Sequence, residues 1–93
     1  MEFFARMKST GPVYYREWVK ENGEKVNIKC INVELTRGGD SIICEANDRV
    51  ADRLESKPIA PGEVVVGYVK FTTSTTKEGR TFQNARLIEI LAL

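Results

Sequence analysis

The sequence contains no histidine, only two cysteines and a single tryptophan. Without histidine the usual general base, most zinc sites and every His-dependent catalytic triad are missing. Cys30 and Cys44 are too few for a disulfide framework and lack CxxC spacing, so both read as small buried apolar residues. Apolar runs are short: Val64-Val65-Val66 falls far below the roughly 18 residues that a membrane-spanning helix needs. Met1-Glu2-Phe3-Phe4 has neither a basic n-region nor an apolar h-region, so a cytoplasmic protein without a secretory signal is expected. No glycine pattern forms a nucleotide cradle; Gly62, Gly67 and Gly79 read as a turn, a strand kink and a hairpin tip. Asp48, Asp52 and Glu55 alternate with Arg49 and Arg53 and read as a solvated helix face rather than a metal or acid–base site. The expectation is a binding protein, not an enzyme, with no metal or cofactor.

What is present is the material of one small soluble domain spanning residues 1–93, with 42% apolar and 29% charged residues. The net charge of +1 is uneven: residues 1–44 carry +1, residues 45–63 carry −2 and residues 64–93 carry +2. A nearly neutral chain still binds a polyanion if its cations converge on one face, because the surface field is local.

The pattern is that of an all-β chain with one short helix. Glu2 to Lys8 and Val13 to Val19 read as one strand bent or broken at Gly11-Pro12. Asn22-Gly23 predicts a hairpin, and the next strand runs from Lys25 with Val26, Ile28 and Cys30 in phase. There the phase slips to Ile31, Val33 and Leu35, which predicts a β-bulge and a curved strand. Thr36 to Asp40 is a second hairpin loop, and Ser41 to Ala46 returns as a strand. Asn47 or Asp48 can cap a helix from Arg49 to about Ser56, which Lys57-Pro58 ends. Pro61-Gly62 turns into a strand from Glu63 to Thr72, Thr73 to Gly79 is a polar loop, and Arg80 to Leu91 completes a long hairpin.

Three strands, a helix and two strands is the order of a five-stranded Greek-key oligonucleotide-binding (OB) barrel, with its helix between strands 3 and 4. An SH3-like barrel usually lacks that helix, and the packed aromatic motifs of a cold-shock domain are not found. Ser41 through Leu54 resembles the third strand and helix of the bacterial single-stranded-DNA-binding proteins and their primosomal relatives. Pro61-Gly62-Glu63-Val64-Val65-Val66-Gly67-Tyr68-Val69-Lys70-Phe71 resembles that family's next strand, with Lys77-Glu78-Gly79-Arg80 as the hairpin tip. The resemblance implies binding of single-stranded DNA, or RNA, in a replication setting. The family's acidic C-terminal tip has no counterpart in these residues, so a bare binding domain is implied.

Single strands are held by cations that track phosphates and aromatic faces on which bases stack. Tyr14, Arg16, Trp18 and Lys20 share one strand parity and would present aromatic, cation, aromatic, cation on one face. Lys70, Phe82 and Arg86 are expected to face the ligand, with Lys77, Arg80 and Arg37 in loops that meet phosphates. Little sequence specificity is expected. Tyr14 and Trp18 could equally fill a core or a dimer seam, and the alternative function is an OB-like protein-interaction or oligomerisation module. Apolar residues on both parities of Leu87, Ile88, Ile90, Leu91 and Leu93 favour a homo-oligomer, dimer or tetramer, under either reading.

Overall fold

Gly11 and Pro12 divide the first extended stretch in two, Glu2–Thr10 (β1) and Tyr14–Val19 (β2), because proline has no N–H for a ladder. The computed structural model describes the backbone of residues 1–93 and every side chain except that of Phe3. Lys25–Arg37 (β3), Asp40–Asn47 (β4), the helix Asp48–Ser56 (α1), Val64–Thr75 (β5) and Thr81–Ala92 (β6) follow. The strand count is thus six rather than the expected five, and the helix falls between β4 and β5. β1 and β2 nevertheless share one partner: β1 pairs with β3 from Arg6–Thr36 to Thr10–Val33, and β2 pairs with it from Tyr14–Cys30 to Val19–Lys25. The two therefore behave as one strand interrupted by a corner, and the Gly11 amide still reaches Asn32 O at 2.8 Å.

The six strands form one sheet in the order β1-β5-β6-β4-β3-β2, and β1 also pairs with β3. The pairings consequently return on themselves through β1, β5, β6, β4 and β3, while β2 extends from β3 as the arm of a hairpin. Every pairing is antiparallel except β4–β6, which is parallel through Glu45–Arg86 and Ala46–Leu87. Inside the circuit lie Ala5, Met7, Ile31, Val33, Leu35, Cys44, Ala46, Val65, Val69, Leu87 and Ile90. Helix α1 adds Ala51 and Leu54 to this core, its Val50–Leu54 spacing placing one face on β3, β4 and β6. Lys29 reaches over to α1, 2.7 Å from Asp52 and 2.6 Å from Glu55. No helix is long and apolar enough to cross a membrane.

The bulge expected within β3 is absent; its ladders to β2 and β4 run without a register shift. Ile31, Val33 and Leu35 face the core, whereas Val26, Ile28 and Cys30 lie on the other side, opposite Trp18, Arg16 and Tyr14. The phase change therefore marks two buried surfaces on one continuous strand. Register shifts occur instead between Met7 and Ser9 in β1 and between Tyr68 and Val69 against β6. The second leaves Ile88 unmatched between Leu87 and Glu89, so Leu87 and Ile90, of opposite parity, both face the core, while Leu91 and Leu93 stay exposed.

The turns match the sequence signals. Gly38 and Gly39 have φ of 57° and 92°, so positive φ at both central residues lets β3 and β4 join through a two-residue turn. The β5–β6 hairpin is longer than expected, with strand pairing out to Thr75–Thr81.

Candidate functional site

β2, β3, β4 and β6 enclose an open groove of about 910 Å³, with Thr72 of β5 at its margin. Val26, Ile28 and Ile43 give it apolar surface, and Asn27, Asn32, Asn47, Asn84 and Gln83 give it amides. Trp18 stands on its wall opposite Val26 and remains 50% exposed. It is therefore a groove side chain and not part of the core.

Register places four outward side chains in one row across the sheet: Asn32 beside Glu45, Glu45 beside Arg86, and Arg86 beside Lys70. Neighbouring strands lie about 4.8 Å apart, so the row extends roughly 14 Å. Among the described residues neither Arg86 nor Lys70 has an ion-pair partner. Two like charges directly opposite each other are unfavourable in the free protein and are relieved by an anion.

Glu45 is the centre of a polar cluster. Arg16 Nη2 donates to its Oε1 at 2.9 Å, Asn47 Nδ2 donates to the same oxygen at 2.8 Å, and the Tyr14 hydroxyl donates to Oε2 at 2.9 Å. The Tyr14 oxygen also lies 3.0 Å from Asn32 Oδ1. Partial burial raises the Glu45 pKa, but the hydrogen bonds from Asn47, Tyr14 and Arg16 together outweigh it and hold the carboxyl below its ordinary value. Burial, then the bond to Glu45, pushes the Tyr14 hydroxyl up to about 12. The same carboxylate raises the Arg16 guanidinium above its ordinary value. Glu45 is thus ionised, and Arg16 is committed to it.

The N-terminus of α1 is drawn into this cluster. Asn47 occupies the cap position but makes no capping bond, because its side chain turns to Glu45 and to Cys30 Sγ. Asp48 follows with φ of 45°, a left-handed conformation that Asp tolerates better than most residues.

The structure brings Arg16, Trp18, Lys20 and Arg86 together on the groove, with Tyr14 joined to it through Asn32 and Glu45. Lys70 enters as the cross-strand neighbour of Arg86. Lys20 lies 3.8 Å from Glu24 in the hairpin turn. The other candidates do not line the groove: Phe82 is opposite Ser74 on the projecting hairpin, Lys77 and Arg80 are at its tip, and Arg37 precedes the Gly38-Gly39 turn. All four are exposed. Sequence reasoning missed Glu45, Asn32 and Asn47. A signal existed for Glu45, an outward-parity acid between Cys44 and Ala46, but its partners lie up to 31 residues away.

No family model matches the chain, and no curated protein matches it. Among solved structures it is similar to the second OB-fold domain of replication protein A from Methanococcus maripaludis, determined by solution NMR. The TM-score is 0.59 at 18% sequence identity, and the match covers 99% of this chain and 81% of that one. At that identity the likeness speaks for the fold and does not single out the bacterial single-stranded-DNA-binding proteins. The chain has an OB fold.

Proposed function

We propose that the protein binds single-stranded DNA in the groove between β2, β3, β4 and β6. The observation that carries this reading is the exposed Trp18 and Arg86 on one open groove of an OB fold, with Lys70 beside Arg86 and neither cation ion-paired among the described residues. Trp18 would stack a base, and Arg86 and Lys70 would hold phosphate, interactions that every base and every linkage offers. In this reading β1 and β2 together form the first of five strands of a Greek-key barrel, and α1 lies between its third and fourth. The likeness to a replication protein A domain supports a role in DNA replication or a related process. The test is anisotropy of a labelled single strand and its duplex over a range of salt. The single strand should bind more tightly, with a log–log salt slope of about −0.7 per phosphate neutralised. Equal binding of both forms, or of neither, rejects the proposal.

A second reading concerns the edge of the sheet at β1 and β5, next to the Lys70–Arg86 row. On the outer face of β1, β5 and β6 the register lays out three rows: Glu2, Tyr68 and Glu89; Phe4, Val66 and Leu91; Arg6, Val64 and Leu93. Phe4 is 62% exposed and Leu91 49%. A second copy, turned about a twofold axis across the middle row, would set its Arg6 against Glu2 and cover the apolar centre. This favours a homodimer. Sedimentation velocity should show a dimer that Phe4→Glu with Leu91→Glu converts to a monomer; a monomeric unaltered chain rejects it.

A further inference from the structure

Glu45 is at odds with a groove that only holds phosphates, since a carboxylate in the floor repels them. It is nevertheless fixed more firmly than any other groove side chain, by three donors from β2 and from the end of β4. Its lone pairs show what it can still accept. A carboxylate offers about four acceptor directions. Oε1 already takes Arg16 and Asn47, whereas Oε2 takes only the Tyr14 hydroxyl and keeps one direction open. The side chain is 27% exposed and lines the groove. An ionised acceptor with one open position selects an N–H donor.

Its neighbours determine where such a donor would come from. Arg86 is beside Glu45 on β6, with Lys70 beyond it, so a phosphate held there is one strand spacing from the carboxylate. On the other side Arg16 reaches Glu45 from β2, and Trp18 lies two residues farther along that strand, opposite Val26 and so six residues along β3 from Asn32, the neighbour of Glu45. A strand with a phosphate on Arg86 that runs along the groove toward Trp18 therefore passes a base over Glu45. At C4 cytosine presents an exocyclic amino donor, whereas thymine presents a carbonyl oxygen there and has its one base-edge N–H at N3, a position farther into the ring.

We infer that Glu45 gives the groove a base preference, accepting an exocyclic amino N–H and so favouring cytosine over thymine. This rests on the single-strand reading and goes beyond it, because it adds hydrogen-bond readout of a base edge to stacking and phosphate contacts. Tyr14, Arg16 and Asn47 are then positioning residues that hold the carboxylate ionised and aimed.

The experiment compares oligo-dC, oligo-dT and an oligomer of N4,N4-dimethyl-deoxycytidine, all slightly above neutral pH, on the unaltered protein and on Glu45→Gln. Oligo-dC should bind about tenfold more tightly than oligo-dT, as expected for one good base-edge contact. The dimethyl oligomer, which has lost the donor, should fall to the level of oligo-dT. In Glu45→Gln the ratio of oligo-dC to oligo-dT affinity should approach one. Binding of oligo-dC and oligo-dT with equal affinity overturns the inference and leaves the single-strand reading intact, whereas binding of neither overturns that reading itself. Retention of the preference in Glu45→Gln, or with the dimethyl oligomer, removes Glu45 from base recognition. The dimethyl oligomer keeps the inference falsifiable even if Glu45→Gln fails to fold.

Discussion

Arg16 and Arg86 face the same groove with the same charge, yet the structure predicts different electrostatic behaviour for them. Arg16 is 2.9 Å from Glu45, so a phosphate meets a pair with no net charge, whereas Arg86 and its neighbour Lys70 have no acidic partner among the described residues. Each phosphate neutralised on a single strand contributes about 0.7 to the log–log salt slope, or about 2.6-fold in affinity for a fourfold rise in salt. The double variant Lys70→Gln, Arg86→Gln should therefore flatten the slope by about 1.4, removing roughly sevenfold of the salt-induced loss. Arg16→Gln should change the slope by less than half as much as Arg86→Gln alone. Anisotropy titrations of one oligonucleotide at four or more salt concentrations measure both. Equal flattening by Arg16→Gln and Arg86→Gln would refute the reasoning, since it would mean that Glu45 does not neutralise Arg16 in the groove.

Three further predictions concern the scaffold. Leu35, 1% exposed in the core, should cost about 2–5 kcal/mol of unfolding free energy when changed to Ala, measured by urea denaturation. Gly39→Ala should cost about 1–2 kcal/mol in the same assay, because φ of 92° is closed to a residue with a Cβ. Glu45 has a lower pKa folded than unfolded, so the unfolded chain binds more protons at acid pH and stability must fall as pH falls. That contribution is complete above the ordinary carboxylate range and is lost as pH drops through the folded value. Glu45→Gln should accordingly be less sensitive to acid than the unaltered chain in chemical denaturation at successive pH values, and equal sensitivity would contradict the assigned hydrogen bonds.

Local chemistry made much of the fold legible. Asn22-Gly23, Gly38-Gly39 and Lys57-Pro58 each act within a few residues, and the hairpins and the helix end occur where those residues place them. The corner at Gly11-Pro12 was readable for the same reason. The phase slip in β3 was misread because periodicity reports burial and not its cause: Cys30 is buried on the groove side and Ile31 in the core. Of the two register shifts that do exist, the one beside Ile88 was hidden in a run that is apolar on both parities. In the site, the alternation of Tyr14, Arg16, Trp18 and Lys20 follows from strand parity and was visible. The row Asn32, Glu45, Arg86, Lys70 depends on four strands meeting in one register, and no segment of sequence contains that information. Phe82 shares parity with Arg86 but lies on the projecting part of the hairpin, where parity does not bring a side chain to the groove.

Trp18 is the single tryptophan and stands on the groove wall, so its fluorescence reports directly on the central claim. Titration with a mixed-sequence single strand should quench it, a matched duplex should quench it less, and raising the salt should weaken the quenching. Full occupancy by a single strand, established by an independent mobility assay, with no change in Trp18 fluorescence would contradict the account and place the strand elsewhere on the protein.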